Sequence, residues 1–214
     1  MFDGNINLTV FQLGTDEKHS DSMSNLTVGS NMFKNCNLST WKIDMPAIEN
    51  GHGMFYSNKN LTTFQLGTDK LHADAMPNIT IASSMFQNCN LTTWKIDMPV
   101  LENGDDMFNS NKNLTTFQLG ANGSFANEIT TLNTANGMFR NCNLSTWKID
   151  MPALQSANYM FASNTSLSKF QLGTDSSHAD TLSNLTSAIG MFMNCNLTSW
   201  NIELPNLKTA GNTT

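Results

Sequence analysis

Apolar positions recur along this chain in a fixed order. Met–Phe pairs begin at Met1, Met32, Met54, Met85, Met107, Met138, Met160 and Met191, at intervals that alternate between 31 and 22 residues. Each pair of intervals sums to 53. A second pattern, Leu-x-x-aromatic-x-aliphatic, follows every pair. It reads Leu8, Phe11, Leu13, then Leu38, Trp41, Ile43, and ends at Leu197, Trp200, Ile202. The aromatic and the aliphatic residue alternate with polar ones, which predicts a short strand with one face turned inward. Self-similarity at a fixed period is the mark of a solenoid. The predicted fold is a β-rich repeat solenoid, leucine-rich-repeat-like, with a parallel β-sheet along one side and eight coils in four 53-residue double repeats. Rungs ~4.8 Å apart would make that sheet on the order of 40 Å long.

The remaining residues of each coil return the chain. Short coils carry Met-Pro plus an aliphatic, as at Met45, Pro46 and Ile48. Proline lacks the N–H that a strand would donate, so it ends the strand. Long coils carry about eight more residues, which are expected to form loops on one face. The whole chain, 1–214, reads as a single domain with double repeats at 1–53, 54–106, 107–159 and 160–212. Met1 occupies a repeat position, so further coils and a leader are compatible with it. Thr213 and Thr214 stand where the next Met–Phe pair is due. Met1, Phe2, Ile6, Leu8, Phe11 and Leu13 match internal positions with no polar cap before them, so the chain is read as a fragment of a longer array or as a filament unit.

Met-Phe-x-x-Cys, followed by Leu-x-x-aromatic-x-aliphatic and x-Met-Pro, resembles the BspA-like leucine-rich repeats of bacterial and protist surface proteins. The resemblance covers nearly the whole chain. It implies a cell-surface location and a role in adhesion. The alternating lengths and the Trp at every second aromatic position depart from the family pattern.

Composition narrows the function. Only 13% of residues are charged, and polarity comes instead from 30 Asn, 24 Thr and 20 Ser. Such side chains satisfy turns and strand faces by hydrogen bonding. A net charge of −6 is the wrong sign for a nucleic-acid partner. No apolar run reaches the ~18 residues of a membrane span. No nucleophile, base and orienting group stand together, so an enzyme is not expected, and no cofactor is implied. Trp and Phe point inward, which leaves no aromatic platform for a carbohydrate.

Four cysteines, Cys36, Cys89, Cys142 and Cys195, recur once per double repeat. Equivalent positions two rungs apart are roughly 9–10 Å apart, too far for a disulfide. They read as free, buried thiols. In three long coils Asp-x-x-His-x-Asp recurs as Asp16, His19, Asp21, then Asp69, His72, Asp74, then Asp175, His178, Asp180. Carboxylates flanking an imidazole can ligate a divalent cation. The third double repeat lacks the motif, and Asp and His are ordinary turn residues, so no metal is expected there.

Thirteen Asn-x-Ser/Thr sequons occur, at Asn7, Asn25, Asn37, Asn60, Asn78, Asn90, Asn113, Asn122, Asn143, Asn164, Asn184, Asn196 and Asn212. Copying of the repeat accounts for some of them. In the fourth copy, however, Ser166 replaces the Asn before the strand and a sequon stands two residues earlier at Asn164. In the third, Thr131 replaces an Asn and Asn122 supplies a sequon upstream. That shift of position with the number kept points to N-glycosylation and so to secretion. The competing reading is a ladder of Asn side chains bonding adjacent coils. Outward strand positions carry Thr40 and Lys42, Thr63 and Gln65, and their equivalents, with Asp44, Asp97 and Asp150 beside the lysines for weak ion pairs.

Two functions follow. One is a glycosylated extracellular structural protein that stacks end to end into a surface fibre or layer. The other is an adhesin that binds a host or matrix partner, protein or glycan, through the strand face or the insertions.

Overall fold

The structure, a computed structural model, describes residues 1–15, 18–20, 22–67, 72–73, 75–120, 128–174, 177–179 and 181–211. No helix occurs among them, and so none long and apolar enough to cross a membrane.

The Met–Phe pair sits in a tight turn flanked by left-handed residues. Asn31 and Asn35 stand at φ 54° and 53° around Met32 and Phe33, and Ser84 and Asn88 at 55° and 57° around Met85 and Phe86. Asn tolerates this region better than most residues, so backbone geometry accounts for part of the Asn content. At Gly190, φ 56°, glycine also leaves room for the neighbouring coil: a Cβ there would come within 2.7 Å of the Tyr159 ring. The turns stack by backbone bonds. Phe2 N donates to Met32 O, Phe33 N to Met54 O, and so on to Met191 O, at 2.7–2.9 Å. A second ladder of single parallel bridges runs through Val28, Asn50, Ile81, Asn103, Thr134, Ser156, Ser187 and Thr209.

Twelve short strands are described: β1 (Leu13–Thr15), β2 (Lys18–Ser20), β3 (Thr40–Trp41), β4 (Thr63–Phe64), β5 (Leu66–Gly67), β6 (His72–Ala73), β7 (Thr93–Trp94), β8 (Thr116–Phe117), β9 (Thr146–Trp147), β10 (Lys169–Phe170), β11 (Leu172–Thr174) and β12 (Ser177–Ala179). Parallel pairing joins β3 to β4, β7 to β8 and β9 to β10, with Trp41 opposite Phe64 and Trp94 opposite Phe117. The expected unbroken parallel sheet is thus replaced by two-stranded pieces, each joining a short coil to the long coil after it.

Three of the long-coil insertions, expected as loops, form antiparallel hairpins β1–β2, β5–β6 and β11–β12, and the remaining one, at 121–127, lies outside the described residues. Gly67 and Gly173, at φ 71° and 74°, swing the chain out of the rung. Gln65 and Gln171 donate their side-chain N–H to the carbonyls of those glycines at 3.5 and 3.3 Å.

The core is apolar and fully enclosed at Met54, Phe55, Leu61, Met85, Phe86, Leu114 and Met138 among others. The aromatic residues form two interlocking columns. Phe2, Phe33, Phe55, Phe86, Phe108, Phe139, Phe161 and Phe192 stack at 5.1–5.8 Å with nearly parallel rings. The strand aromatics meet them edge to face, as Trp41 meets Phe33 and Phe55 at 5.0 and 4.7 Å, the arrangement that ring quadrupoles favour.

Trp41, Trp94 and Trp147 are buried as expected, but Trp200 is 41% exposed. It stacks on Phe170 from one side, and no described residue covers the other as Phe64 covers Trp41. Indole N–H groups donate to Ile43 O, Ile96 O, Ile149 O and Ile202 O at 2.7–2.9 Å. In long coils the equivalent Leu13, Leu66 and Leu172 pair into the hairpins instead. Trp therefore belongs to the coil without a hairpin, where it satisfies a carbonyl that the hairpin does not reach.

Candidate functional site

The residue three places after each Phe alternates between Asn and Cys: Asn5, Cys36, Asn58, Cys89, Asn111, Cys142, Asn164, Cys195. These side chains form one internal polar column. Cys36, Cys89, Cys142 and Cys195 donate their thiols to Phe2 O, Phe55 O, Phe108 O and Phe161 O at 3.0–3.2 Å. Asn58, Asn111 and Asn164 donate to Phe33 O, Phe86 O and Phe139 O at 2.7 Å. Each of these Asn also accepts from a strand-leading leucine one coil back, Leu38 N, Leu91 N or Leu144 N, at 3.0 Å.

The alternation has a physical reason. In long coils Leu61, Leu114 and Leu167 N bond within their own coil, to Asn58 O, Asn111 O and Asn164 O. In short coils the leucine N–H has no such acceptor, so the next coil must supply one. An amide donates and accepts; a thiol offers only a weak donor here, which suffices after a long coil.

The thiols are free. Cys36, Cys89 and Cys142 are buried and Cys195 half-buried. Burial pushes the Cys89 thiol up to about 12, against a smaller opposing hydrogen bond from the Asn58 backbone, and raises the other three as well.

A second polar pairing lies before the strand. Asn60 donates to Asn37 Oδ1 at 2.6 Å and Asn113 to Asn90 Oδ1 at 2.7 Å. Ser166 does the same to Asn143 Oδ1 at 2.7 Å. Ser166 thus keeps the bond while losing the sequon. Asn164, the shifted sequon, is 0% exposed, and its amide bonds Phe139 O, Phe161 O and Leu144 N. A glycan on that nitrogen would have to displace the core.

Asn78 and Asn184 donate to Pro46 O and Pro152 O at 2.9 and 2.8 Å. Thr131 in the same place donates to Leu101 O at 2.8 Å, so here too the substitution keeps a bond. Asn7, Asn25 and Asn196 are exposed; Asn37, Asn90 and Asn143 are half-buried and accept through Oδ1. Asn122 and Asn212 lie outside the described residues.

The outward face is where the pattern placed it. Thr40, Thr63, Thr93, Thr116 and Thr146 are exposed, as are Lys42, Lys95 and Lys148. The acidic neighbours have a local task. Asp44, Asp97 and Asp150 accept from the N–H of Met45, Met98 and Met151 at 2.7–2.8 Å, and burial raises the Asp97 carboxyl against the pull of that N–H.

Of the candidate metal ligands, His19, His72 and His178 fall in β2, β6 and β12, opposite Gly14, Gly67 and Gly173. Asp16, Asp21, Asp69, Asp74, Asp175 and Asp180 lie outside the described residues. Among the described residues no group of three or more His, Cys, Asp or Glu converges.

Two surface aromatics escape the strand pattern. Lys34 lies 5.1 Å from the centre of the Tyr56 ring, and Arg140 5.5 Å from that of Tyr159. Both tyrosines stand beside a Met–Phe pair, and that position is the signal that could have found them.

The leucine-rich-repeat spacing has a counterpart among known families. The BspA type leucine rich repeat region matches residues 18–115 and 79–214, in 6 copies. No curated protein and no solved structure matches the chain. With the family's repeats spread over nearly its whole length, this chain belongs to the BspA-type leucine-rich repeat family.

Proposed function

We propose that the chain is a non-enzymatic structural protein of the cell surface: one domain of eight coils in four 53-residue double repeats, N-glycosylated and stacked end to end into a fibre or layer. One observation carries this. Both aromatic columns run to the outermost coils with their rings only partly covered: Phe2 and Phe11 at one end, Phe192 and Trp200 at the other. An apolar cross-section with strand groups beside it is a template for another coil, and covering it gains roughly 25 cal/mol per Å² of apolar area. A surface location fits the family and the Asn-, Thr- and Ser-rich exterior. The test is the native protein's intact mass before and after deglycosylation, with negative-stain imaging. Sugar and filaments are expected; an unglycosylated protein with no filaments would sink the reading.

A second reading is an adhesin. What favours it is the exposed Thr face, with Thr40 opposite Thr63 and Thr93 opposite Thr116 and the lysines alongside. Repeat proteins present such periodic faces to partners. If host or matrix binding is lost on replacing Thr93 and Lys95 while assembly persists, adhesion is the task.

A further inference from the structure

We propose that the solenoid yields to tension in two-coil steps: each short coil opens and closes with the long coil after it, and the stack parts between a long coil and the next short one. The property belongs to the internal coils and needs no contact between copies.

The coils divide at the bridged pairs Ser22 with Asp44, Ala75 with Asp97 and Glu128 with Asp150. Counted from these residues, short coils run 22–43, 75–96 and 128–149, and long coils run 44–74, 97–127 and 150–180. Both kinds of seam carry the turn ladder. Phe86 N donates to Met107 O across a short-to-long seam, and Phe55 N to Met85 O across a long-to-short one, each at 2.9 Å. Both also stack phenylalanines, Phe86 on Phe108 at 5.7 Å and Phe55 on Phe86 at 5.4 Å.

The rung face separates the two. From short to long, β7 pairs with β8, and Thr115 N donates to Thr92 O and Gln118 N to Trp94 O at 3.1 Å. Leu91 N reaches Asn111 Oδ1 at 3.0 Å, and Asn113 reaches Asn90 Oδ1 at 2.7 Å. The coil starts are joined as well, Met76 N donating to Asp97 O at 2.9 Å. From long to short the joint is thinner. Asn143 N donates to Leu114 O at 3.0 Å, and the Cys142 thiol to Phe108 O at 3.2 Å. Among the described residues no sheet joins β4 to β7 or β8 to β9, and no bridge joins Asp44 to Ala75. Side chains reach across there instead, Asn78 to Pro46 O at 2.9 Å and Thr131 to Leu101 O at 2.8 Å. The outer long-to-short seams add one bond each, Ser39 N to Thr9 O at 3.2 Å and Thr198 N to Ser168 O at 3.3 Å. The hairpin stands at this junction: the chain leaves the rung at Gly67, φ 71°, and the next coil starts at Ala75.

In a solenoid each coil touches only its neighbours, so stability is a sum of coil and seam contributions, and the weaker seam bounds the segment that opens as one. A surface protein under load would then lengthen by one pair of coils at a time and keep the rest of its core.

The test is force extension of the full chain, held at its two ends. Steps of 53 residues are expected, a gain of roughly 175–190 Å each. Separate steps of 22 and 31 residues, roughly 75 and 105 Å, would overturn the proposal, and so would a single event for the whole chain. Two substitutions place the seam. Asn111→Leu removes the acceptor of Leu91 N at a short-to-long seam and should split one step in two. Cys142→Ala touches a long-to-short seam and should leave the step length unchanged. If the leucine variant does not fold, Asn111→Cys, which keeps the donor, is read in the same way. No split in either Asn111 variant, or a split in Cys142→Ala, would overturn the pairing of coils.

Discussion

The side-chain amide of Asn58 and the thiol of Cys89 hold the same place in successive coils, each donating to the phenylalanine carbonyl one coil back, at 2.7 and 3.1 Å. They are not interchangeable, because only Asn58 also accepts, from Leu38 N at 3.0 Å. The stack is therefore held by two different joints used in turn, because one coil type leaves an N–H that the other must satisfy.

Replacing Asn111 is expected to cost more than its size suggests. Asn111→Leu leaves Leu91 N without its acceptor in the core, at roughly 1–3 kcal/mol, and takes from Phe86 O one of its two donors, the other being Cys89 N. Asn111→Cys should fall between, restoring a donor but no acceptor. Urea midpoints of the three proteins check the order, and a Cys variant as stable as the parent would refute it.

Trp94 is 1% exposed, stacks on Phe64 at 5.6 Å and donates to Ile96 O at 2.9 Å. Trp94→Ala should cost roughly 3–5 kcal/mol. The same change at Trp200, 41% exposed, should cost clearly less. Equal losses would mean that Trp200 is covered in solution, as the stacked form requires; dilution would then separate the two.

The thiols set an alkaline limit. Cys89 is raised from 9.0 to about 12 by burial, so the folded chain keeps a proton that the unfolded chain releases. Its contribution is whole below pH 9.0 and is lost as pH rises toward about 12. Unfolding midpoints should fall as pH rises from 9.0 toward about 12, and Cys89→Ala should flatten part of that slope. In the native protein Cys195, the half-buried one, should alkylate before Cys89 and Cys142. All four should alkylate in denaturant without prior reduction.

Glycans should follow the hydrogen bonds. Asn60 and Asn113 have Nδ2 engaged on Asn37 and Asn90, which use only Oδ1 in that bond. Peptide mapping of the native protein is expected to find sugar at Asn37, Asn90 and Asn143 in preference to Asn60 and Asn113, and none at Asn164. Sugar at Asn164 would contradict its buried place.

The sequence by itself determined the period, the inward face and the free cysteines. A Met–Phe pair at 31- and 22-residue steps can repeat only if each coil presents the same cross-section to its neighbours, and alternation of apolar with polar residues settles which face of a two-residue strand is buried. The tertiary structure decided what depends on the neighbouring coil. Whether an asparagine carries sugar or bonds the backbone is not written in Asn-x-Ser: Asn164 and Asn143 both have the sequon, and only the position of Phe139 O and Leu144 N places Asn164 in the core. The hairpins were hidden because their strands pair with each other and not with the rung, so β5 and β6 carry no long-range pattern of their own. The exposure of Trp200 was equally illegible, since its local motif is that of Trp41 and what differs is the absence of a described ring on its far side, which no local spacing encodes.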